Sequence, residues 1–412
     1  MSAVARLHVV AAAAALFVLA PIPPASPVGL ETSPYIVMFH PGAADPDDVA
    51  GPVRFRYRFA LSGYAADLDR AAVEALRRDH RVASVTPDRP LRASEVPVPD
   101  GIARVRATAS PTAAIDGRRP PVFHVNVAVV DTGIDEHPDL NLVGGKNCST
   151  GRGYRDFYGH GTHAAGTIGA FDDARGVVGV APGVRLWAVK VLDDRGEGSL
   201  SEMLCGIDWV TSTRADSDRD NDIDVANVSV GGPGSDDGDC GARTNDPFHA
   251  AVCNSVASGV TYVVAAGNAG IDAAGFSPAS FDEVISVSAM ADTDGRPGGN
   301  GPRPECRPDE HDDGFASFSN YGPDVDFIAP GVCVLSTLPR TFSNDGPAYG
   351  RLTGTSFAAP HVAGAAVLYL ARHPLARPSE VRQALVAAAV FDWDDSDDPD
   401  GVKEPRIDVA GF

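Results

Sequence analysis

Three residues far apart in the chain have the types and settings that turn a hydroxyl group into a nucleophile. Asp131 closes the apolar run Val129-Val130-Asp131-Thr132-Gly133. His160 opens His160-Gly161-Thr162-His163, 29 residues later. Ser356 stands in Gly354-Thr355-Ser356-Phe357-Ala358-Ala359-Pro360, 196 residues after His160. A serine hydroxyl attacks poorly until a neighbouring base takes its proton, and an imidazole base needs an acid to fix its tautomer. Taken singly, a strand-end Asp is a cap, a His is structural and a Gly-Thr-Ser turn is common. As a set they supply acid, base and nucleophile, each at the end of an expected strand or helix.

Those positions need a scaffold. From residue 124 onward, short apolar runs at 125–130, 184–192, 223–230, 260–266, 284–290 and 326–329 alternate with helical patterns near 160–170, 199–213, 246–258 and 356–373. The runs do not alternate polar with apolar residues, as expected for parallel strands buried on both faces. Asp246-Pro247 reads as a cap and first helical residue with Gly259 just past the end, and the last long helix stops before Pro374. The expected fold class is α/β, a mainly parallel sheet flanked by helices, in which sites lie at the carboxyl ends of strands. Upstream, residues 35–92 read as a small α+β unit. Tyr35–Phe39 and Val82–Val85 are its strands, and Leu68, Ala72, Val73 and Leu76 share one helical face. Residues 93–124, rich in Pro, Ala and Arg, read as a linker.

A 412-residue chain with 44% hydrophobic and 22% charged residues is neither disordered nor collagen-like. Its 55 acidic and 34 basic residues give a formal charge of −21, which opposes binding to nucleic acid or anionic membrane. The first 96 residues are balanced, ten acidic against ten basic, so the excess lies wholly in the body. Arg6 followed by the apolar run Val9–Ala20 is too short to span a bilayer and fits a secretory signal peptide over 1–26. No other segment approaches a membrane anchor. The six cysteines (148, 205, 240, 253, 306, 333) of an exported chain read as up to three disulfides. Cys240–Cys253 is the favoured pair because it is local, and Cys306–Cys333 the second choice. No C-x-x-C spacing suggests zinc.

Three longer stretches resemble the signatures of the subtilisin-like serine proteases, or subtilases. They are Val130-Asp131-Thr132-Gly133-Ile134-Asp135, His160 through Thr167, and Gly354 through Gly364, in that order. The resemblance covers roughly 99–412, with a looser likeness over 35–92. It implies a serine endopeptidase acting on polypeptides, in which Ser356 attacks the scissile carbonyl, His160 carries the proton and Asp131 holds the imidazole. Asn268, in Val263-Val264-Ala265-Ala266-Gly267-Asn268, corresponds to the side-chain oxyanion donor. Ser229, Val230 and Gly231 resemble the edge that pairs with an extended substrate, and with Ala266 and Gly267 they wall the pocket for the residue before the cut. These small residues leave room for an apolar side chain, and Phe276, which aligns loosely with the pocket floor, would narrow that room, so a broad, apolar preference is expected. His163, Ser149, Ser319 and His361 are structural on this reading. The alternative is a catalytically silent subtilase fold serving as a scaffold, which the complete triad and Asn268 oppose. A lipase or esterase is disfavoured because no G-x-S-x-G elbow surrounds Ser356.

After the signal peptide expected over 1–26, the resemblance implies an inhibitory propeptide over 27–95 and a catalytic domain over 96–412. Self-cleavage is expected between Arg92 and Val98, and Pro99–Arg104 resembles a mature start. The expected product is a secreted monomer whose own propeptide is its inhibitor. Phe171–Val177 resembles the family's calcium loop in length, with Asp139 and Asp173 as the matching carboxylates and Asp172 in place of an amide residue. Two denser acidic groups read as solvated loops whose mutual repulsion a cation would relieve. One is Asp216, Asp218, Asp220, Asp222 and Asp224; the other is Asp394, Asp395, Asp397, Asp398 and Asp400.

Overall fold

The computed structural model describes residues 32–49, 52–88, 98–118, 123–151, 153–343 and 346–412; the expected signal peptide and the cleavage interval from Arg92 to Pro97 lie outside them. The chain forms two compact units, 1–93 and 94–412.

The first unit holds strands β1 (Ser33–Phe39), β2 (Phe55–Tyr57), β3 (Gly63–Leu68) and β4 (Val82–Pro87), with helix α1 (Arg70–Leu76) before β4. The strands form an antiparallel sheet in the order β2-β3-β1-β4. The Asp69 carboxylate accepts the Ala72 N–H at 2.7 Å, which caps α1 and starts it at residue 70. Leu68 therefore ends β3 and is not on the helix. It is still buried, with Val37, Tyr64, Val73 and Leu76.

The second unit runs α2 (Asp100–Arg104), β5 (Asn126–Asp131), β6 (Leu142–Asn147), α3 (His160–Gly169), β7 (Arg185–Lys190), α4 (Leu200–Thr213), β8 (Val225–Val228) and β9 (Gly232–Pro233). It continues through α5 (Pro247–Ala257), β10 (Thr261–Ala265), β11 (Phe276–Ser277), β12 (Ile285–Met290), β13 (Phe327–Pro330), β14 (Val334–Leu338), β15 (Ala348–Leu352), α6 (Thr355–Arg372) and α7 (Pro378–Ala388). Seven strands form a parallel sheet in the order β13-β12-β10-β8-β5-β7-β6. Both faces of β5 are covered. Val127 and Val129 pack with Ile168 and Val362 on one side, and Ala128 and Val130 with Ile207, Val210 and Val252 on the other. This is why β5 reads as an unbroken apolar run.

Several elements escaped the sequence reading. β6 is an edge strand of mixed polarity with two glycines, and the hairpin β14–β15 breaks the parallel pattern. The expected linker is a linker only in part. Within it, α2 buries Ile102 and Arg104, and Val105, Ala107 and Ala113 join the core. A five-residue helix is too short to show a period.

Disulfides Cys240–Cys253 and Cys306–Cys333 are formed, and Cys148–Cys205 completes the set. Arg104 is wholly buried, with Nε 2.8 Å from Asp313 and 2.9 Å from Asp292, and Nη1 3.2 Å from Asp392. Arg406 also holds Asp392, at 2.7 and 2.9 Å, so the start and the end of this unit share one ion network.

Candidate active site

Asp131 is the last residue of β5, at the carboxyl end of a mid-sheet strand, and is fully buried. Both its carboxylate oxygens lie 2.8 Å from His160 Nδ1. His160 opens α3, and what aims that helix is a second buried acid. Asp156 accepts from Gly159 N at 2.8 Å, Thr162 N at 2.9 Å, Thr162 Oγ1 at 2.7 Å and Thr132 Oγ1 at 2.9 Å. A carboxylate at a helix N-terminus satisfies its free N–H groups and its dipole. A Cβ at Gly161 would stand 2.2 Å from the Gly133 carbonyl oxygen, so a side chain there would push α3 away from β5. The His160 pKa is raised above its ordinary value. Burial acts against the charge, but Asp131, and behind it Asp156, outweigh it.

Ser356 is the second residue of α6 and is 6% exposed. Its hydroxyl donates to the Ser229 carbonyl at 3.0 Å, and the Ser229 hydroxyl donates back to the Ser356 carbonyl at 2.9 Å. The ring of Phe357 lies 5.0 Å from that of His160 and 4.5 Å from that of His163, which sets the start of α6 beside the imidazole.

Asn268 follows β10. Its Oδ1 accepts from Thr355 N at 2.8 Å and Thr355 Oγ1 at 3.0 Å, while Thr355 Oγ1 accepts from Gly267 N at 3.1 Å. Two donors on the oxygen fix the amide's orientation. Nδ2 remains the open donor, beside Gly354, where a Cβ would lie 3.4 Å from it.

Ser229, Val230 and Gly231 follow β8, and Ala266 and Gly267 follow the adjacent parallel β10. The Phe276 ring fills the space beside both glycines. A Cβ would lie 2.7 Å from Cε1 at Gly231 and 3.1 Å from Cδ1 at Gly267, where φ is +107°. A cavity of about 270 Å³ adjoins Gly231, lined by Leu192, Leu200, Met203, Phe248 and Ser277.

Residues 124–407 match the family profile described as the subtilase family, and 51–94 match the peptidase inhibitor I9 profile. Subtilisin NAT of Bacillus subtilis subsp. natto is 37% identical over 348 residues, covering 83% of this chain and 78% of that protein. An alkaline protease of Shouchella clausii is 35% identical over 322 residues, 78% and 72% of the two chains. A crystal structure of a cold adapted subtilisin-like serine proteinase superposes with a TM-score of 0.53 at 29% identity, covering 72% of this chain and 97% of that one. The chain belongs to the subtilase family. It is a serine endopeptidase with an inhibitor-type N-terminal unit.

The remaining candidates have partners of their own. The His163 Nε2 faces the Val334 and Gly350 carbonyls at 2.8 and 3.1 Å, and burial pushes its pKa down to about 3. The His361 Nδ1 faces the Phe357 carbonyl, and Ser319 accepts from Ala289 N at 2.9 Å. The Ser149 backbone N–H donates to Asn147 Oδ1 at 2.9 Å, and the residue adjoins the Cys148–Cys205 bridge.

The subtilase calcium residues fit an ion poorly. Asp139 is buried, and its Oδ2 already accepts from Tyr349 Oη at 3.0 Å and Val177 N at 3.2 Å. Asp172 turns Oδ2 to the Asp116 and Gly117 N–H groups at 2.7 and 2.8 Å, while Asp173 is exposed and binds Arg175 N. Elsewhere among the described residues, Asp236, Asp237 and His249, and Asp292, Asp294 and Asp312, have ligand atoms close enough to hold a metal ion.

Sequence reasoning missed Asp156, Thr355 and Asn320, which hold the site from behind; Asn320 Nδ2 donates to the Ala266 carbonyl at 2.8 Å. An Asp four residues before a helix-opening His is a capping signal, and Thr355 adjoins Ser356. Nothing local marks Asn320.

Proposed function

We propose that this subtilase is a secreted endopeptidase made as a precursor, and that Asp131, His160 and Ser356 are its triad. The observation that carries the reading is the buried Asp131 carboxylate on His160 Nδ1, with the α6 start held beside that ring. Fixing the proton on Nδ1 leaves Nε2 as the base. The Ser356 hydroxyl leaves the Ser229 carbonyl, gives its proton to Nε2 and attacks the scissile carbonyl. Asn268 Nδ2 and the Ser356 N–H receive the developing oxyanion, helped by the dipole of α6. His160 then protonates the leaving amine, and water, deprotonated by the same ring, releases the acyl group.

An extended substrate adds as a strand along Ser229–Gly231, with a modest apolar side chain seated against Phe276, Ala266 and Gly267. The N-terminal unit acts as inhibitor until it is removed, the signal peptide directs export, and the product is a monomer. Calcium serves as a structural ion and takes no chemical step.

Autoprocessing tests the reading. Ser356→Ala is expected to accumulate as uncut precursor while the unaltered chain matures under the same conditions. If both mature alike, another protease does the cutting and the triad assignment loses its support.

A further inference from the structure

The bridge Cys240–Cys253 has two further metal-binding side chains gathered on it. One ligand atom from each of Cys240, Cys253, His249 and Glu283 lies within 4.8 Å of the other three. His249 and Cys253 stand four residues apart on α5, so they share one face of that helix. Glu283 closes the set, with Oε2 3.0 Å from His249 Nε2 and Oε1 3.6 Å from Cys240 Sγ. His249 is 1% exposed, and its Nδ1 has no hydrogen-bond partner among the described residues. Two more carboxylates, Asp236 and Asp237, lie 3.7 and 3.4 Å from the same ring. Three acids around one imidazole make a field that favours a dication.

What gathers these groups does not depend on the bridge. Asp237 accepts five hydrogen bonds from residues 239–244, which fix the loop carrying Cys240. Asp246 caps α5 by accepting from Phe248 N at 2.8 Å. The His249 ring is stacked on Phe281 with centroids 4.1 Å apart, which sets its direction. Opening the S–S bond therefore leaves two thiols, an imidazole and a carboxylate already assembled. Cys240 is exposed, which admits a reductant and an ion.

We propose that the chain with this bridge reduced binds zinc through Cys240, Cys253, His249 and Glu283, and that the ion replaces the bridge as the tie between α5 and the loop before it. Two thiolates with an imidazole and a carboxylate select zinc over calcium and magnesium, and four ligands suit its tetrahedral geometry. A dithiol gives the bridge two electrons and two protons. The Sγ–Sγ bond breaks, two thiols form, and the dithiol leaves as its own disulfide. Zinc then displaces both thiol protons to solvent. Thirteen positions separate the two cysteines, so no C-x-x-C motif marks the site in the sequence.

Cobalt, a coloured stand-in for zinc, tests this in the full-length Ser356→Ala chain, where self-digestion does not interfere. A phosphine opens the bridge, taking up the oxygen of water and leaving two thiols. The reduced chain is expected to show thiolate-to-cobalt charge transfer and the visible bands of a four-coordinate ion, both displaced by zinc. The unreduced chain is expected to show neither, and so is the reduced Cys240→Ala/Cys253→Ala chain, which keeps the other four cysteines. His249→Ala and Glu283→Gln retain every thiol. Each is expected to weaken cobalt binding by more than about tenfold, the low end for losing even an outer-shell partner. Glu283 is partly exposed, so Glu283→Gln keeps the fold. Absence of the charge-transfer band in the reduced chain, its persistence in Cys240→Ala/Cys253→Ala, or unchanged affinity in both His249→Ala and Glu283→Gln overturns the proposal.

Discussion

At the scale of single residues, the account turns on how Asp131 and its neighbours bias one imidazole. Since the base is the neutral form and the His160 pKa is raised, kcat/KM is expected to climb with pH through a midpoint above about 6.5. Asp131→Asn removes the charge that raises it, so the midpoint should move down while kcat falls by about 10⁴. A pH-independent rate between 5 and 8 would contradict a histidine base. Asn268→Ala should cost about 10²–10³ in kcat with little change in KM, a magnitude inherited from subtilisin itself. Asp131, His160, Ser356 and Asn268 stand out in the sequence because the proposed chemistry needs those residue types beside Gly-rich turns. Asp156 and Thr355 were not singled out because their work is done through other side chains, and Asn320 reaches Ala266 across 54 positions of chain.

At the scale of elements, long buried strands and helices such as β5, β10 and α6 were readable from their apolar runs. Those burying little, or too short for a period, were not: β6 at the sheet edge, the five-residue α2 and the hairpin β14–β15. The helix α7, with only Val381 and Leu385 buried, also escaped. α2 matters beyond its length because Arg104 sits on it, fully buried between Asp292 and Asp313. Burial first holds the Asp292 carboxyl up, to about 8, with Arg104 opposing. Removing the guanidinium strands two buried acids, so Arg104→Met should destabilise by about 3–5 kcal/mol in urea unfolding. Arg195→Ala, which removes an exposed guanidinium from Asp193, should cost about 1 kcal/mol or less. Equal effects would mean that the α2 network is not a structural anchor.

At the scale of the whole molecule, a chain charge-balanced over its first 96 residues and strongly acidic after them folds as two units. The acidic body bears every residue assigned to the chemistry. Parallel strands end at or just before Asp131, Ser229 and Asn268 on the carboxyl side of the sheet, and Phe357 at the start of α6 packs on His160 at the start of α3, so segments far apart in the chain meet. The alternation of runs and helices foretold that architecture, while the order of the strands needed the coordinates. The most direct test of the nucleophile is covalent labelling with a fluorophosphonate, followed by peptide mass mapping. The account predicts one adduct, on Ser356, formed faster as pH rises and lost in His160→Ala. An adduct on another serine, or undiminished labelling of Ser356 in His160→Ala, would contradict it.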